Sequence, residues 1–181
     1  MLSKIFVNLF LIVLLALVQI SFINSLPKVA SSLNLILIIL IFLLILTNFK
    51  LALIWAVSLG YLLDLFSFYP FGIYLVSLSL TIVIAHFLLT NFFTNRSLYS
   101  FLALVAIATI NYEIFINSIT YLINLTSSNT SSYQIINFNY HFWQIKCWEL
   151  GSNLLITIFL FYLISFIGKS LRPVFLAKQT K

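Results

Sequence analysis

Charge is the scarcest thing in this chain. Only 7% of its 181 residues are charged, and three are acidic: Asp64, Glu113 and Glu149. Soluble domains carry about 25% charged residues. With 63% of the residues hydrophobic, no soluble core could hide the apolar surface, so the class is a polytopic membrane protein. Cysteine is nearly absent. Cys147 stands alone, which excludes an intramolecular disulfide, and no second Cys or His pair near His141 gives zinc-ligand spacing. No HExxH, GxSxG or phosphate-binding glycine loop is present, so neither an enzyme nor a bound metal or cofactor is expected. The nine Lys and Arg give a net charge of +6. They sit singly between apolar runs instead of forming a basic face, so nucleic acid is not the expected partner and membrane topology explains them better.

What is there is apolar runs. Six can be read: Ile5–Phe22, Leu33–Leu46, Leu51–Phe66, Phe71–Leu89, Leu98–Leu125 and Leu150–Ile167. This predicts an all-α membrane protein, a six-transmembrane-helix bundle forming one polytopic domain over residues 1–181. Spanning needs about 20 residues, with about 17 as a usual minimum, so the second and third runs need their flanks. A re-entrant hairpin from Leu33 to Phe66 is the weaker alternative, because Asn48, Phe49 and Lys50 break the run. The first run follows Lys4 and is longer than a signal-peptide core of about 7–15 residues, so an uncleaved anchor is expected.

The positive-inside rule sets the expected orientation. With a cytoplasmic N-terminus, Lys4, Lys50, Arg96, Lys169, Arg172, Lys178 and Lys181 fall inside, and Lys28 and Lys146 outside. Both termini are then cytoplasmic, and residues 168–181 form a basic cytoplasmic tail beside the lipid headgroups. Residues 126–149 are expected as the one sizeable outer loop, polar at first and then aromatic at Tyr133, Phe138, Tyr140, Phe142, Trp143 and Trp148. Such rings favour the membrane–water interface; a partner-binding surface is the sharper alternative.

The polar residues inside the runs decide what the bundle does. An Asp at the centre of a membrane helix costs about 2.5–3.5 kcal/mol on insertion scales, so Asp64 needs a compensating partner. Gly60 and Asp64 share a helix face, and a glycine there admits a neighbouring backbone. Asp64 lies ~9 Å below the turn at Pro70 and Gly72. Thr109, Glu113, Asn117, Thr120 and Asn124 form a polar stripe on the fifth span. The two carboxylates fall at similar depth and could share a polar interior. His86 lies deeper, which argues against a pair with Asp64. Interhelical hydrogen bonds are favoured over a transport site, and a proton-linked lipid flippase is a third possibility.

The stretch "GYLLDLFSFYPFG", followed by "IYLVSLSLTIVIAHF", resembles the MreD family of rod shape-determining proteins. Gly60, Asp64, Leu65, Ser67, Pro70 and Gly72 match its Gly, Asp-Leu and Pro-Leu-Gly pattern; Phe68 and Phe71 depart from it. "LVQISF", "LNLILIILIFLLIL" and "GKSLRP" fit other parts of the family more loosely. The resemblance implies a non-catalytic inner-membrane component of the bacterial elongation machinery. It supports rod shape and side-wall peptidoglycan synthesis by binding MreC, with MreB, RodA and a class B penicillin-binding protein as associated partners. It also implies a fold similar to the substrate-binding S components of energy-coupling-factor transporters. A vitamin-type transporter subunit is therefore the alternative. The Ala-x-x-x-Ala docking face of those components has no counterpart on the first span, which has only Ala16, and Ala52–Ala56 on the third reads as packing.

Overall fold

A computed structural model describes residues 2–23, 25, 32–93, 97–126 and 140–168. Every secondary-structure element among them is helical: α1 (Leu2–Leu17, continued by a π-helical turn, Val18–Ile23), α2 (Leu35–Leu46), α3 (Phe49–Phe66), α4 (Ile73–Asn91), α5 (Leu98–Thr126) and α6 (Tyr140–Gly168). Five stretches are long and apolar enough to cross a membrane: Phe6–Ile23, Phe49–Phe66, Ile73–Asn91, Leu98–Leu125 and Gln144–Phe166. The chain is thus a multi-pass α-helical membrane protein.

The second run behaves differently. Helix α2 has 12 residues, ~18 Å at 1.5 Å each, well short of the ~30 Å hydrocarbon core. Asn34 starts it by accepting the Leu37 amide at 3.0 Å; Thr47 closes it, its amide donating to the Leu43 carbonyl at 2.9 Å. Leu and Ile occupy nearly every side of this helix, as suits one that is largely buried. Ile36, Leu37, Ile38, Leu40 and Ile41 are fully buried. Helix α2 is the centre of the core, and α3, α4, α5 and α6 pack against it.

Around it, α3 pairs with α4, α4 with α5 and α5 with α6, while α1 lies on α3. The outward faces are apolar, for example Phe6, Leu9 and Phe10 on α1 and Leu155, Phe159 and Phe166 on α6. That is the distribution of a bundle whose solvent is lipid.

Part of the stretch expected as an outer loop over 126–149 is helical. Thr126 ends α5, and α6 begins at Tyr140, ten residues before the expected Leu150. The physical reason is burial: Glu149 is buried one turn before buried Asn153, so this carboxylate lies on the inner face of a helix. Tyr133, Phe138 and the basic tail beyond Gly168 lie outside the described residues.

Candidate functional site

The α3–α4 turn is built by the residues that make its sequence distinctive. Helix α3 ends at Phe66, and the Ser67 hydroxyl donates to the Asp64 carbonyl at 3.3 Å. Gly72 then takes φ +102°, a left-handed geometry that side chains with a Cβ resist. It occupies the N-cap of α4 with no side chain to offer, so the first amides of α4 would be left without partners. Asp64 supplies them from the preceding helix. Its carboxylate accepts the Tyr74 amide at 2.9 Å through Oδ1 and the Leu75 amide at 3.0 Å through Oδ2. A negative charge at a helix N-terminus is also favoured by the helix dipole.

Gly60 makes this reach possible. A Cβ at Gly60 would lie 2.5 Å from the Leu75 Cα and 3.0 Å from its nitrogen, so α4 occupies the space a side chain would need. Ala52, Ala56, Gly60 and Asp64 recur every four residues, all of them buried. Tyr61 against Phe71 and Tyr69 against Tyr74 close the turn with edge-to-face ring contacts at 5.6 and 5.9 Å.

A second polar region lies between α5 and α6. Lys146 bridges Glu113 on α5 and Glu149 on its own helix, the latter at 3.0 Å. One turn along, fully buried Asn153 donates to the Thr109 hydroxyl at 3.2 Å. Its Oδ1 accepts the Asn34 amide at 3.0 Å. Going from Glu113 to Thr109 moves back along α5 while going from Glu149 to Asn153 moves forward along α6, so the two helices are antiparallel. Gln19, in the π-helical turn, donates to the Leu33 carbonyl and accepts the Leu35 amide, both at 3.0 Å. Side chains on α1 and α6 therefore satisfy the backbone where the chain enters α2, the accounting that a dry interior demands.

The Glu113–Lys146–Glu149 triad, Gln19 and Asn34 open onto a cavity of about 440 Å³, within the usual range of ligand pockets, about 300–1,000 Å³. Glu113, Lys146 and Glu149 line it together with Gln19, Asn34, Tyr112 and Tyr74, and the turn residues Ser67, Phe68 and Tyr69 form part of its wall. Single-turn π-helices recur at functional sites, and here one carries Gln19 into the lining.

The two carboxylates singled out in the sequence have separate partners. Asp64 is held by backbone amides and Glu113 by Lys146; Tyr74, whose amide bonds Asp64, stands in the cavity lining with Glu113. The polar stripe divides in the same way. Thr109 joins the Asn153 bond, and Glu113 joins the triad. Thr120 turns back to the Ile116 carbonyl of its own helix at 2.7 Å. Asn117 is half-buried. His86 stacks on Phe49 with ring centroids 4.3 Å apart. Among the described residues no three His, Cys, Asp or Glu side chains form a metal-holding group.

Sequence reading missed Gln19, Asn34, Tyr112, Lys146, Glu149 and Asn153. A signal existed for two: Asn34 directly before an apolar run has the form of a helix N-cap, and Lys146 and Glu149 stand at i, i+3. No known protein-family model, curated protein or solved structure matches the chain.

Proposed function

We propose that this protein is a non-catalytic component of the bacterial cell-elongation machinery, similar to MreD, acting in the cytoplasmic membrane by binding the helices of MreC and associated proteins. In this reading the bundle counts six transmembrane helices, with α2 completed by its flanks, an architecture of the kind found in the S components of energy-coupling-factor transporters. Both termini are cytoplasmic. The observation that carries the reading is the stretch Gly60–Gly72. Of the residues that match the family pattern, Gly60, Asp64, Ser67 and Gly72 belong to one device that locks α3 against α4. A locked hairpin suits a protein that offers a fixed surface to partner helices. Depletion in a rod-shaped host is the test: cells should round up and lose side-wall growth. Cells that stay rod-shaped overturn the reading.

One observation favours a second reading, a substrate-binding membrane subunit of a small-molecule transporter: the polar, aromatic-lined cavity of about 440 Å³. Co-purification separates the two. Recovery of MreC supports the first; recovery of an ATPase pair with a bound vitamin and no MreC supports the second.

A further inference from the structure

The cavity has a definite chemistry. Two carboxylates, Glu113 and Glu149, face one ammonium, that of Lys146. With both carboxylates ionised, the described charged groups lining the cavity sum to one negative charge. Glu149 is 6% exposed, so solvent does little to dissipate that charge. The remaining wall is aromatic and hydrogen-bonding: Phe66, Tyr69, Tyr74 and Tyr112, with the amides of Gln19 and Asn34. Carboxylates backed by several aromatic rings are the surroundings that recognise organic ammonium ions, through ion pairing and cation–π attraction together. The volume suits a group the size of a lipid headgroup or a small amine.

We propose that this cavity binds an organic ammonium group, which joins Lys146 in neutralising the Glu113–Glu149 pair. The ammonium comes either from a free amine or from the headgroup of an aminophospholipid. This holds whether the bundle serves elongation or transport, and it is tested separately from both.

The test is thermal unfolding of the full, delipidated chain in detergent, followed by tryptophan fluorescence. Soluble ethanolamine and choline form one set of probes; lysophosphatidylethanolamine forms the other, with lysophosphatidylglycerol as its matched control. Ammonium-bearing probes should raise the unfolding temperature in a saturable way, and lysophosphatidylglycerol should not. A shift with the lysolipid alone assigns the site to a headgroup, and a shift with the soluble amines as well assigns it to a free amine. Glu149→Gln removes the excess charge while leaving Lys146 paired with Glu113, so this variant should fold and lose the shift. Ile20→Trp adds bulk to the lining and keeps all three charges; it should also lose the shift, and it decides the matter if Glu149→Gln does not fold. The proposal is overturned if no ammonium probe shifts the wild-type protein, as when the carboxylates share a proton instead. It is equally overturned if the shift survives in the variants that fold.

Discussion

The molecule holds its acids in two different ways. In the α3–α4 hairpin, Asp64 is satisfied by two main-chain amides, at a turn closed by a glycine contact and two aromatic pairs. Between α5 and α6, Glu113 and Glu149 are satisfied by the ammonium of one lysine, beside a cavity. Backbone donors are fixed by the helix they begin, so the first arrangement has one geometry. A lysine ammonium sits on a flexible four-carbon stem, so the second can rearrange or admit another cation. The comparison separates a structural acid from acids available for chemistry, although Asp64 and Glu149 are buried alike and Glu113 is half-buried.

The sharpest way to break the hairpin is at Gly60. Gly60→Leu places a side chain where the Leu75 backbone already stands, and neither helix can yield without losing the Asp64 bonds. The expected loss is about 3 kcal/mol or more, read as a large fall in unfolding temperature in detergent or as failure to accumulate. Next comes the triad. Lys146→Met leaves two neighbouring carboxylates without their ammonium. Breaking a fully buried pair costs about 3–5 kcal/mol. Because the Lys146 side chain is 27% exposed, water moderates the loss here to about 2–3 kcal/mol. A drop of less than ~1 kcal/mol would mean that the triad behaves as a surface pair.

Asp64 gives the third test, and it bears on the difference between the two regions. Asp64→Ala strips two amides of their acceptor and should cost about 2 kcal/mol. Asp64→Asn keeps one acceptor oxygen and should cost roughly half that. A carboxylate whose work is to cap a helix should therefore show graded stability loss, with function following the amount of folded protein. If Asp64→Asn abolished function while the unfolding temperature stayed at the wild-type value, the capping account would fail and a proton role would gain.

The hairpin was readable in the sequence because its parts are local and chemically marked. A glycine four residues before an acid, then Pro70 and Gly72, specify a face, a close approach and a stop. What the sequence did not disclose is the destination of the carboxylate, because backbone amides at the start of a helix have no letter of their own. The α5–α6 region was harder for a different reason. Glu113 is visible, but its partner Lys146 falls in residues that the sequence presents as an outer loop. Antiparallel register across the gap between two helices cannot be counted from either helix alone. The centrality of the short α2 was hidden similarly: an all-apolar run reads alike whether lipid or protein surrounds it.

The smallest expected effect tests how far periodicity can be trusted. Thr109, Glu113, Asn117 and Thr120 all fit one polar face, yet they differ in what they reach. At Thr109 and Glu113, α6 presents Asn153 and Lys146. Thr120 satisfies its own hydroxyl within α5, a bond that any lipid-facing threonine can make. Asn117 is half-buried, and no partner for its amide exists among the described residues. Asn117→Leu removes a polar group without orphaning another, so stability should change by no more than about 0.5 kcal/mol, and unfolding in detergent should be indistinguishable from wild type. Thr109→Val, by contrast, leaves the Asn153 amide without its acceptor and should cost about 1–2 kcal/mol. Equal losses at the two positions would mean that the stripe acts as a unit. Unequal losses in this order would mean that shared helical phase brings residues to one face, while only the facing register of α6 decides which of them is used.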